Sequence, residues 1–351
     1  MKSILIIVLF IASNCFPGPN FAQIVQLGSF NPSETNNDIC GLGYDPDQAH
    51  LWVYGCSNST IQCYDTSGNL LLSIPVVGGI ANDVDIEIAP VSLQIRENIY
   101  PKGQLLFING ESGTADIFVI DNSSGDVLDT LQTQFGASHV VGGAYHHIRN
   151  TFFLVQDNIP SIQLRNRIAE INPINGDTLQ IFQTTESSNN FTVSYGDLDI
   201  GANGNIYVVS SIQDSMAEFT PEGVFVQKHG MPPGVGVLSA LAIDCSASQA
   251  WVASSQSGNV FHLGNFPCET VSVDESQNSE IRVFPNPATG YLIISSVNQG
   301  SAFHLYDILG RHMLSETLVR GTNTVVLPDL PNGQYTYKVD GEPISGIVII
   351  R

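Results

Sequence analysis

Basic residues are scarce in this 351-residue sequence. Only 12 Lys and Arg stand against 33 Asp and Glu, which gives a formal net charge of −21 at pH 7. A protein of this charge repels phosphate backbones, so nucleic acid is not an expected partner. The charge is compatible with divalent cations, with basic partners, or with solubility alone.

Long apolar runs are also missing. Beyond residue 22 no stretch reaches the roughly 18 apolar residues of a membrane-spanning helix, so no transmembrane span is expected. The apolar run SILIIVLFIAS follows the positive charge of Lys2. Its length and flanks predict a secretory signal peptide over residues 1–22, with Ala22 before the cleavage point. Lipidation at Cys15 is the alternative.

Motifs of common hydrolases and nucleotide-binding proteins are absent. There is no G-x-S-x-G nucleophile elbow, no H-E-x-x-H, no P-loop, and no G-x-G-x-x-G that opens a helix. No cysteine pair has the C-x-x-C spacing of a zinc site. The sequence therefore contains no recognisable catalytic set.

Five cysteines follow the predicted signal peptide, and an exported protein can form disulfides. Cys56 and Cys63 flank a segment that predicts a hairpin, so a bridge between its arms is expected. Cys245 and Cys268 are the second expected pair, which leaves Cys40 unpaired. Spacing alone does not select one connectivity among those that five cysteines allow.

Four segments share one design, a short β-run that ends in a turn and leads into a second β-run. The turns combine Asp, Asn or Thr with Gly, and Gly and Asn accept the positive φ of tight hairpins. Two further β-runs precede each segment, so four strands recur every ~45–55 residues without a helical period. The segments are TIQCYDTSGNLLLSI (60–74), IFVIDNSSGDVLDTL (117–131), IAEINPINGDTLQIF (168–182) and MAEFTPEGVFVQKH (216–229).

This repeat predicts an all-β fold, a β-propeller over residues 23–268. A fifth unit begins at LSALAID (238–244) and stops one strand short. The segment QIVQLGSF (23–30) can provide the missing strand and close the ring. Five blades are therefore expected. Six blades are the alternative, because residues 81–104 have room for extra strands, and an open β-sandwich is the third choice.

The repeat resembles, loosely, the propellers of NHL repeat proteins, streptogramin lyases and lactonases. The segment IGANGNIYVVSS (200–211) carries most of this resemblance. The resemblance implies a propeller fold. It implies no activity, because one fold hosts many functions.

Acidic residues alternate with apolar ones on two predicted innermost strands. Asp83, Asp85 and Glu87 share one face in the second unit, and Asp197 and Asp199 do so in the fourth. If these faces line the channel, the like charges need water, a cation or raised pKa values, and calcium is the candidate cofactor. Solvated acids in a water-filled channel are the simpler interpretation. The candidate metal ligands are Asp83, Asp85, Asp197, Asp199 and His139 of the third unit.

His146 and His147 are adjacent, so on a strand their side chains point to opposite faces and do not form one site. His146 occupies the place in its unit that Asp45 and Asp244 occupy in theirs. This recurrence predicts a turn position of the repeat.

The end of the chain has a different pattern. Residues 269–280 are polar and acidic and predict a linker. Seven short β-runs over residues 281–351, separated by Pro-Asn-Pro, Leu-Gly, Pro-Asn-Gly and Asp-Gly, predict a small immunoglobulin-like β-sandwich.

Three motifs follow one another in this sandwich: VFPNPATG (283–290), LYDILGR (305–311) and LPNGQY (330–335). In order and spacing they resemble the type A C-terminal sorting domain of the type IX secretion system. The resemblance implies export to the periplasm, passage across the outer membrane by the secretion machinery, and removal of the domain, which leaves the cargo surface-attached or released. The residues that carry it are Phe284, Pro285, Asn286, Pro287, Gly290, Tyr306, Asp307, Gly310, Arg311, Gly333 and Tyr335.

Two functional classes remain for the propeller. The favoured one is a non-catalytic binding module, secreted or surface-attached, whose ligand is a glycan, peptide or protein. The alternative is a metal-dependent lactonase or lyase in which the channel carboxylates hold the ion. The absence of a catalytic set and the weak repeat match favour the binding module.

Overall fold

The computed structural model describes residues 23–32, 38–157, 165–185, 191–268, 282–284, 287–296, 301–319, 321–339 and 345–350. These residues form two compact units, which divide within residues 269–281. Within them the only helix is the 3₁₀ turn Cys245–Ala247, and no helix is long and apolar enough to cross a membrane. The predicted signal peptide (1–22) and linker (269–280) lie outside the described residues.

The described residues of the first unit form a β-propeller of five four-stranded antiparallel blades. Chain order begins with strand β1 (Val25–Phe30). Blade 1 contains β2 (Ile39–Asp45), β3 (His50–Gly55), β4 (Thr60–Asp65) and β5 (Leu70–Pro75). Blade 2 contains β6 (Val84–Ile88), an inserted hairpin of β7 (Leu93–Ile95) and β8 (Asn98–Tyr100), then β9 (Leu105–Asn109), β10 (Asp116–Ile120) and β11 (Val127–Gln132).

The remaining blades follow the same plan without an insertion. Blade 3 contains β12 (Val140–His146), β13 (Thr151–Gln156), β14 (Arg167–Ile171) and β15 (Thr178–Gln183). Blade 4 contains β16 (Gly196–Ile200), β17 (Ile206–Ser210), β18 (Ser215–Phe219) and β19 (Phe225–Gly230). Blade 5 contains β20 (Leu238–Asp244), β21 (Gln249–Ser254), β22 (Val260–Gly264) and, as its outermost strand, β1.

Strand β1 closes the ring by pairing antiparallel with β22, as the sequence predicted. Blade 1 then packs against this strand through its Asp-Thr-Ser-Gly turn. Gly68 of the turn has φ +84°, and a Cβ there would come within 2.6 Å of the Phe30 ring. The turn glycine is therefore required both by backbone conformation and by the close approach of the neighbouring blade.

The hairpin β7–β8 accounts for the extra strands that residues 81–104 had room for, so these residues do not form a sixth blade. The backbone N–H of Arg96 at its tip donates to the carbonyl oxygen of Pro173 in blade 3 at 2.8 Å. Its Tyr100 hydroxyl donates to the Asp129 carboxylate of β11 at 3.1 Å. These contacts fix the hairpin to the propeller rim.

The innermost strands are β2, β6, β12, β16 and β20, the five that the sequence predicted. Each is the first strand of its blade in chain order, so all five run in one direction along the channel. We call the end where they begin the N-mouth, near Ile39, Val84, Val140, Gly196 and Leu238. We call the end where they finish the C-mouth, near Asp45, Ile88, His146, Ile200 and Asp244.

The second unit is a β-sandwich built from the seven expected strands. One sheet has the order β23 (Arg282–Phe284), β24 (Tyr291–Ser296), β27 (Gly321–Val326). The other has the order β26 (His312–Thr317), β25 (Ala302–Asp307), β28 (Gly333–Val339), β29 (Ser345–Ile349). Leu292 and Ile294 of the first sheet and Phe303 and Leu305 of the second belong to one buried core.

The disulfides correct one expected pairing. The structure pairs Cys245 with Cys268, as expected, but it pairs Cys56 with Cys40 and leaves Cys63 buried and free. Cys63 lies opposite Trp52, four positions back along the ladder from Cys56, which is ~13 Å away at ~3.3 Å per residue. A disulfide spans only ~4.4–6.8 Å between Cα atoms. Cys40 meets this limit, with its Cα 5.2 Å from that of Cys56.

Peptide mapping under non-reducing conditions tests this connectivity. After digestion with a protease that cuts between residues 56 and 63, we expect linked peptides for Cys40–Cys56 and Cys245–Cys268. Burial raises the pKa of Cys63 to about 12, so iodoacetamide should modify it only after unfolding in urea. A linked Cys56–Cys63 peptide would contradict the structure, and the fully reduced protein is the control.

Candidate functional site

Buried carboxylates in the channel accept hydrogen bonds from the backbones of neighbouring blades. Asp85 Oδ1 accepts from Ile86 N at 2.7 Å, and Oδ2 accepts from Gly143 N of blade 3 at 3.1 Å. Asp197 of blade 4 accepts from Leu241 N of blade 5 at 2.8 Å. Asp85 and Asp197 are 2% and 0% exposed. They satisfy N–H groups on the inner edges of strands that have no further strand to pair with.

Two acids closer to the C-mouth make the same kind of contact. Asp199 accepts from Ile200 N and from Ile243 N of blade 5, both at 2.6 Å. Glu87 accepts from Tyr145 N of blade 3 at 3.5 Å, a longer contact. Blades 2 and 4 therefore provide acceptors for the inner edges of blades 3 and 5.

Gly142 of the innermost strand β12 makes room for this arrangement. A Cβ at Gly142 would overlap the Asp197 carboxylate. Gly142 was not among the predicted site residues, although Gly in a strand interior is a known signal of close approach. The Gly-Gly pair at residues 142–143 could therefore have indicated the place where Asp85 and Asp197 approach β12.

Burial raises the pKa of each of these carboxyl groups. The pKa values of Asp85, Glu87 and Asp197 lie well above their usual range, and that of Asp199 is raised to about 7. The side chains of Asp85 and Asp197 also bond to each other, which lowers the pKa of Asp85 and raises that of Asp197. A hydrogen bond between two carboxyl groups requires a proton on one of them.

At the N-mouth a histidine lies between two buried carboxylates. His139 Nδ1 is 3.3 Å from Asp83 Oδ2 and 3.5 Å from Asp157 Oδ1. Asp157 Oδ2 accepts from Tyr195 N at 3.1 Å. Burial raises the pKa of Asp83 to about 6, and His139 lowers it in part. Asp157 was not predicted, because it lies in the turn after β13 and not on an innermost strand.

The five predicted metal ligands are distributed over three levels of the channel. Asp83 and His139 lie at the N-mouth, Asp85 and Asp197 in the middle, and Asp199 towards the C-mouth. No set of three or more His, Cys, Asp or Glu in the described part of the chain is arranged to hold a metal ion. A calcium ion at the middle level would have to displace backbone N–H groups from the carboxylates. The calcium hypothesis stays a prediction.

A pocket of about 360 Å³ opens at the C-mouth. This volume lies within the roughly 300–1,000 Å³ that small-ligand sites occupy. All five blades contribute to its lining. Glu87 and Asp199, each one residue before the C-mouth end of its innermost strand, are the channel acids in this lining, and we call them the floor. The walls include Tyr44, Asp45, Asp47, Ile88, Ala89, Pro90, Lys102, Tyr145, His147, Ile200, Ala202, Ile243, Asp244 and Ser246.

The pocket walls are held by turns that follow the innermost strands. Asp45 Oδ1 accepts from Asp47 N at 3.0 Å, and Asp244 Oδ1 accepts from Ser246 N at 3.1 Å. Lys102, which follows the inserted hairpin, places Nζ 2.7 Å from Asp47 Oδ1. These bonds give the pocket a fixed rim.

His146 occupies the corresponding turn of blade 3. Its Nδ1 accepts from Arg149 N at 3.2 Å, so Nε2 carries the proton and donates to Gly204 O of blade 4 at 3.0 Å. This is the structural role that the repeat predicted. His147, whose pKa is lowered by burial, lines the pocket instead.

In the second unit, the middle sorting motif forms a turn around Asp307. Oδ1 of this residue accepts from Leu309 N and Arg311 N at 2.9 Å, and Oδ2 accepts from Arg311 Nε at 2.6 Å. Gly310 adopts φ +75° within this turn, as its predicted role requires. The motif therefore fixes a tight turn from which Arg311 projects into solvent.

The other sorting residues lie at strand ends and in the core. Tyr306 precedes the turn, Gly333 begins β28, and Gly290 accepts a backbone bond from Leu327 N at 2.9 Å. Tyr335 is buried, and its hydroxyl donates to Pro331 O at 2.9 Å. Phe284 ends β23, and Pro287 is exposed. The residues outside the described ranges are Pro285 and Asn286.

Residues 282–348 match the family model described as "Secretion system C-terminal sorting domain". This match confirms the predicted sorting domain of the type IX secretion system. The protein is accordingly a type IX secretion cargo with a β-propeller fold, exported to the cell surface or the extracellular space.

Three solved structures are similar to the chain at low identity. PorZ, a surface component of the type IX secretion system of Porphyromonas gingivalis, matches at 13% identity and TM-score 0.35 over 89% of this chain and 45% of PorZ. Hydrazine synthase of Kuenenia stuttgartiensis matches at 11% identity and TM-score 0.42, over 64% of this chain and 82% of the hydrazine synthase chain. A protein of unknown function from Bacteroides caccae matches at 12% identity and TM-score 0.40, over 62% of this chain and 70% of its own chain.

The chain spans less than half of PorZ, and TM-scores of 0.35 to 0.42 support no inference about activity. No curated protein sequence matches the chain significantly.

The raised carboxyl pKa values predict that the protein loses stability as pH rises. Unfolded carboxyl groups release their protons near pH 4, whereas the channel holds its protons to about pH 7 or above. The free energy of unfolding should therefore fall between about pH 4 and pH 7. Thermal unfolding should show a midpoint on the order of 5 °C lower at pH 8 than at pH 5.

The variant Asp199→Asn distinguishes the effect of the channel acids on stability from the effect of charge repulsion over the whole protein. It should reduce the drop in midpoint between pH 5 and pH 8, whatever its absolute midpoint, because the amide does not titrate. The control Asp214→Asn removes an exposed acid and should retain the wild-type drop. Equal drops in all three proteins would contradict a proton-holding channel.

The calcium prediction is tested by thermal unfolding in EDTA and in excess calcium. A site filled at 100 times its dissociation constant would add about 2.7 kcal/mol to the free energy of unfolding. Because the carboxylates already bind backbone N–H groups, we expect calcium to raise the free energy of unfolding by less than this amount. A calcium-dependent rise that disappears in Asp83→Asn or Asp197→Asn would instead establish the metal site.

Proposed function

We propose that the propeller is a non-catalytic binding module that presents its C-mouth pocket to a ligand outside the cell. The observation that carries this proposal is the 360 Å³ pocket itself, which all five blades line. Such a pocket is concave and is held by the turns of a rigid ring, the arrangement that suits recognition of a small ligand or a chain end.

Several polar groups of the pocket wall are bonded to one another. Ser246 Oγ donates to Asp244 Oδ1 at 2.5 Å, and Cys245 is bound to Cys268. The disulfide removes Cys245 as a free thiol nucleophile. The Ser246–Asp244 bond belongs to the capping turn in which Asp244 Oδ1 also accepts from Ser246 N. Binding without bond cleavage is the function that this chemistry supports best.

The metal-dependent lactonase or lyase remains the alternative. It requires an ion with an open coordination position, held by carboxylates that here accept backbone hydrogen bonds. The calcium experiment tests this alternative, because the enzyme requires the ion and would be excluded if no metal binds in the channel.

A pocket-filling variant tests the proposal. Ala202 lines the pocket, so Ala202→Trp in the full exported chain should abolish binding to whichever members of a glycan array and a peptide array the wild type retains. The matched control Ser67→Trp adds the same ring to an exposed turn of blade 1 and should bind like the wild type.

Equal binding by wild type and Ala202→Trp would place the ligand elsewhere and contradict the proposal. Hydrolysis of lactones by the wild type that EDTA abolishes would favour the enzyme.

A further inference from the structure

We propose that the C-mouth pocket binds a primary ammonium or guanidinium group carried on an aliphatic stem. This inference rests on the proposed binding function and names its ligand class. The same chemistry is found in a free diamine and in a lysine or arginine side chain of a peptide.

The charge of the pocket selects a cation. Five carboxyl groups line it, and its one lysine is neutralised by an ion pair of 2.7 Å with Asp47. This acidic excess would attract a cationic ligand before contact and disfavour an anionic one. The five carboxyl groups belong to Asp45, Asp47, Glu87, Asp199 and Asp244.

Two carboxyl groups from different blades, those of Glu87 and Asp199, lie at the floor of the pocket. Burial raises the pKa of Glu87 most, and the nearby charge of Asp199 raises it further. Glu87 is only 9% exposed, yet its contact with the neighbouring blade, from Tyr145 N, is 3.5 Å long. A charged donor that reaches the floor would give Glu87 a charge-assisted hydrogen bond, which is stronger than this long contact.

The walls between rim and floor are suited to an aliphatic stem. Ile88, Pro90, Ile200 and Ile243 line the pocket together with the ring of Tyr44. Long basic side chains commonly bury their methylene groups along apolar surface while the charged head finds polar partners. The pocket offers both environments to such a ligand.

A single ammonium group fits this floor better than a bare divalent ion does. Ammonium and guanidinium groups donate several hydrogen bonds in fixed directions, and the carboxyl oxygens of Glu87 and Asp199 can accept them while keeping their backbone partners. A divalent ion needs several oxygen ligands that converge on one point. No such set of acidic side chains is present among the described residues.

Binding of a cation should release protons from the floor. Burial raises the pKa of Asp199 to about 7 and that of Glu87 well above its usual range, and a bound positive charge lowers both. The affinity of the pocket for a cationic ligand should therefore increase from pH 6 to pH 8. The other titratable groups that face the floor are Tyr44, Asp45, Asp47, Asp85, Lys102, Tyr145, His147 and Asp244.

Isothermal titration of the full exported chain tests the proposal with three probes. These are 1,5-diaminopentane, Nα-acetyl-lysine N-methylamide, and the neutral control Nα-acetyl-norleucine N-methylamide. We expect both cationic probes to bind at least tenfold more tightly than the neutral one. The binding enthalpy should differ between phosphate and Tris buffers, because protons are released. Tighter binding of the lysine derivative would indicate a peptide ligand, and tighter binding of the diamine a free amine.

Variants assign the binding to the pocket. Glu87→Gln and Asp47→Asn should each weaken the cationic probes at least tenfold and leave the neutral probe unchanged. Asp47 is exposed, so its variant is expected to fold even if Glu87→Gln does not. The control Asp126→Asn removes an exposed acid from an outer turn and should have no effect.

Two outcomes would overturn the inference, and they are distinguishable. If the neutral probe binds as tightly as the cations and Ala202→Trp abolishes both, the pocket binds ligands but does not select cations, so the proposed function stands alone. If no probe shows binding that Ala202→Trp abolishes, the inference fails as well. In that case the array experiment with Ala202→Trp decides the proposed function separately.

Discussion

The propeller depends on how the inner edges of its five innermost strands are satisfied. Each such strand lacks a neighbour on the channel side, so a row of backbone N–H groups faces the axis without a sheet partner. Asp85, Glu87, Asp197 and Asp199 accept these hydrogen bonds across blade boundaries. The ring is thereby tied together at its centre by side chains of blades 2 and 4, in addition to the apolar packing between blades.

This solution brings carboxyl groups together in a place with little water. Their pKa values rise because burial disfavours the ionised form, and the side chains of Asp85 and Asp197 bond to each other. The same acids reach the C-mouth, where Glu87 and Asp199 give the pocket its floor. The interaction that holds the blades together therefore also determines the polarity of the surface offered to a ligand, and both properties depend on pH.

The second unit is also built from β-strands, but its characteristic residues are close together in the sequence. Its motifs place Asp307 and Gly310 in a tight turn and bury Tyr335 in the core, so they are visible in the sequence as fixed spacings. The propeller repeat has no such signature for its ligand, because the pocket is assembled from five turns that are distant in sequence. This difference explains why the export route is established and the ligand is a proposal.

Periodicity by itself determined the all-β class, the five blades, the innermost strands, closure by β1 and the seven-stranded sandwich, because alternation and turn chemistry are local. It also placed the acids of blades 2 and 4 on common faces. Tertiary structure alone decided what those acids contact, since the N–H groups of Gly143, Leu241 and Ile243 come from other blades. It also decided that Cys40, and not Cys63, meets Cys56, and that Asp157 joins His139. Such contacts depend on distances across the ring, which spacing along the chain does not encode.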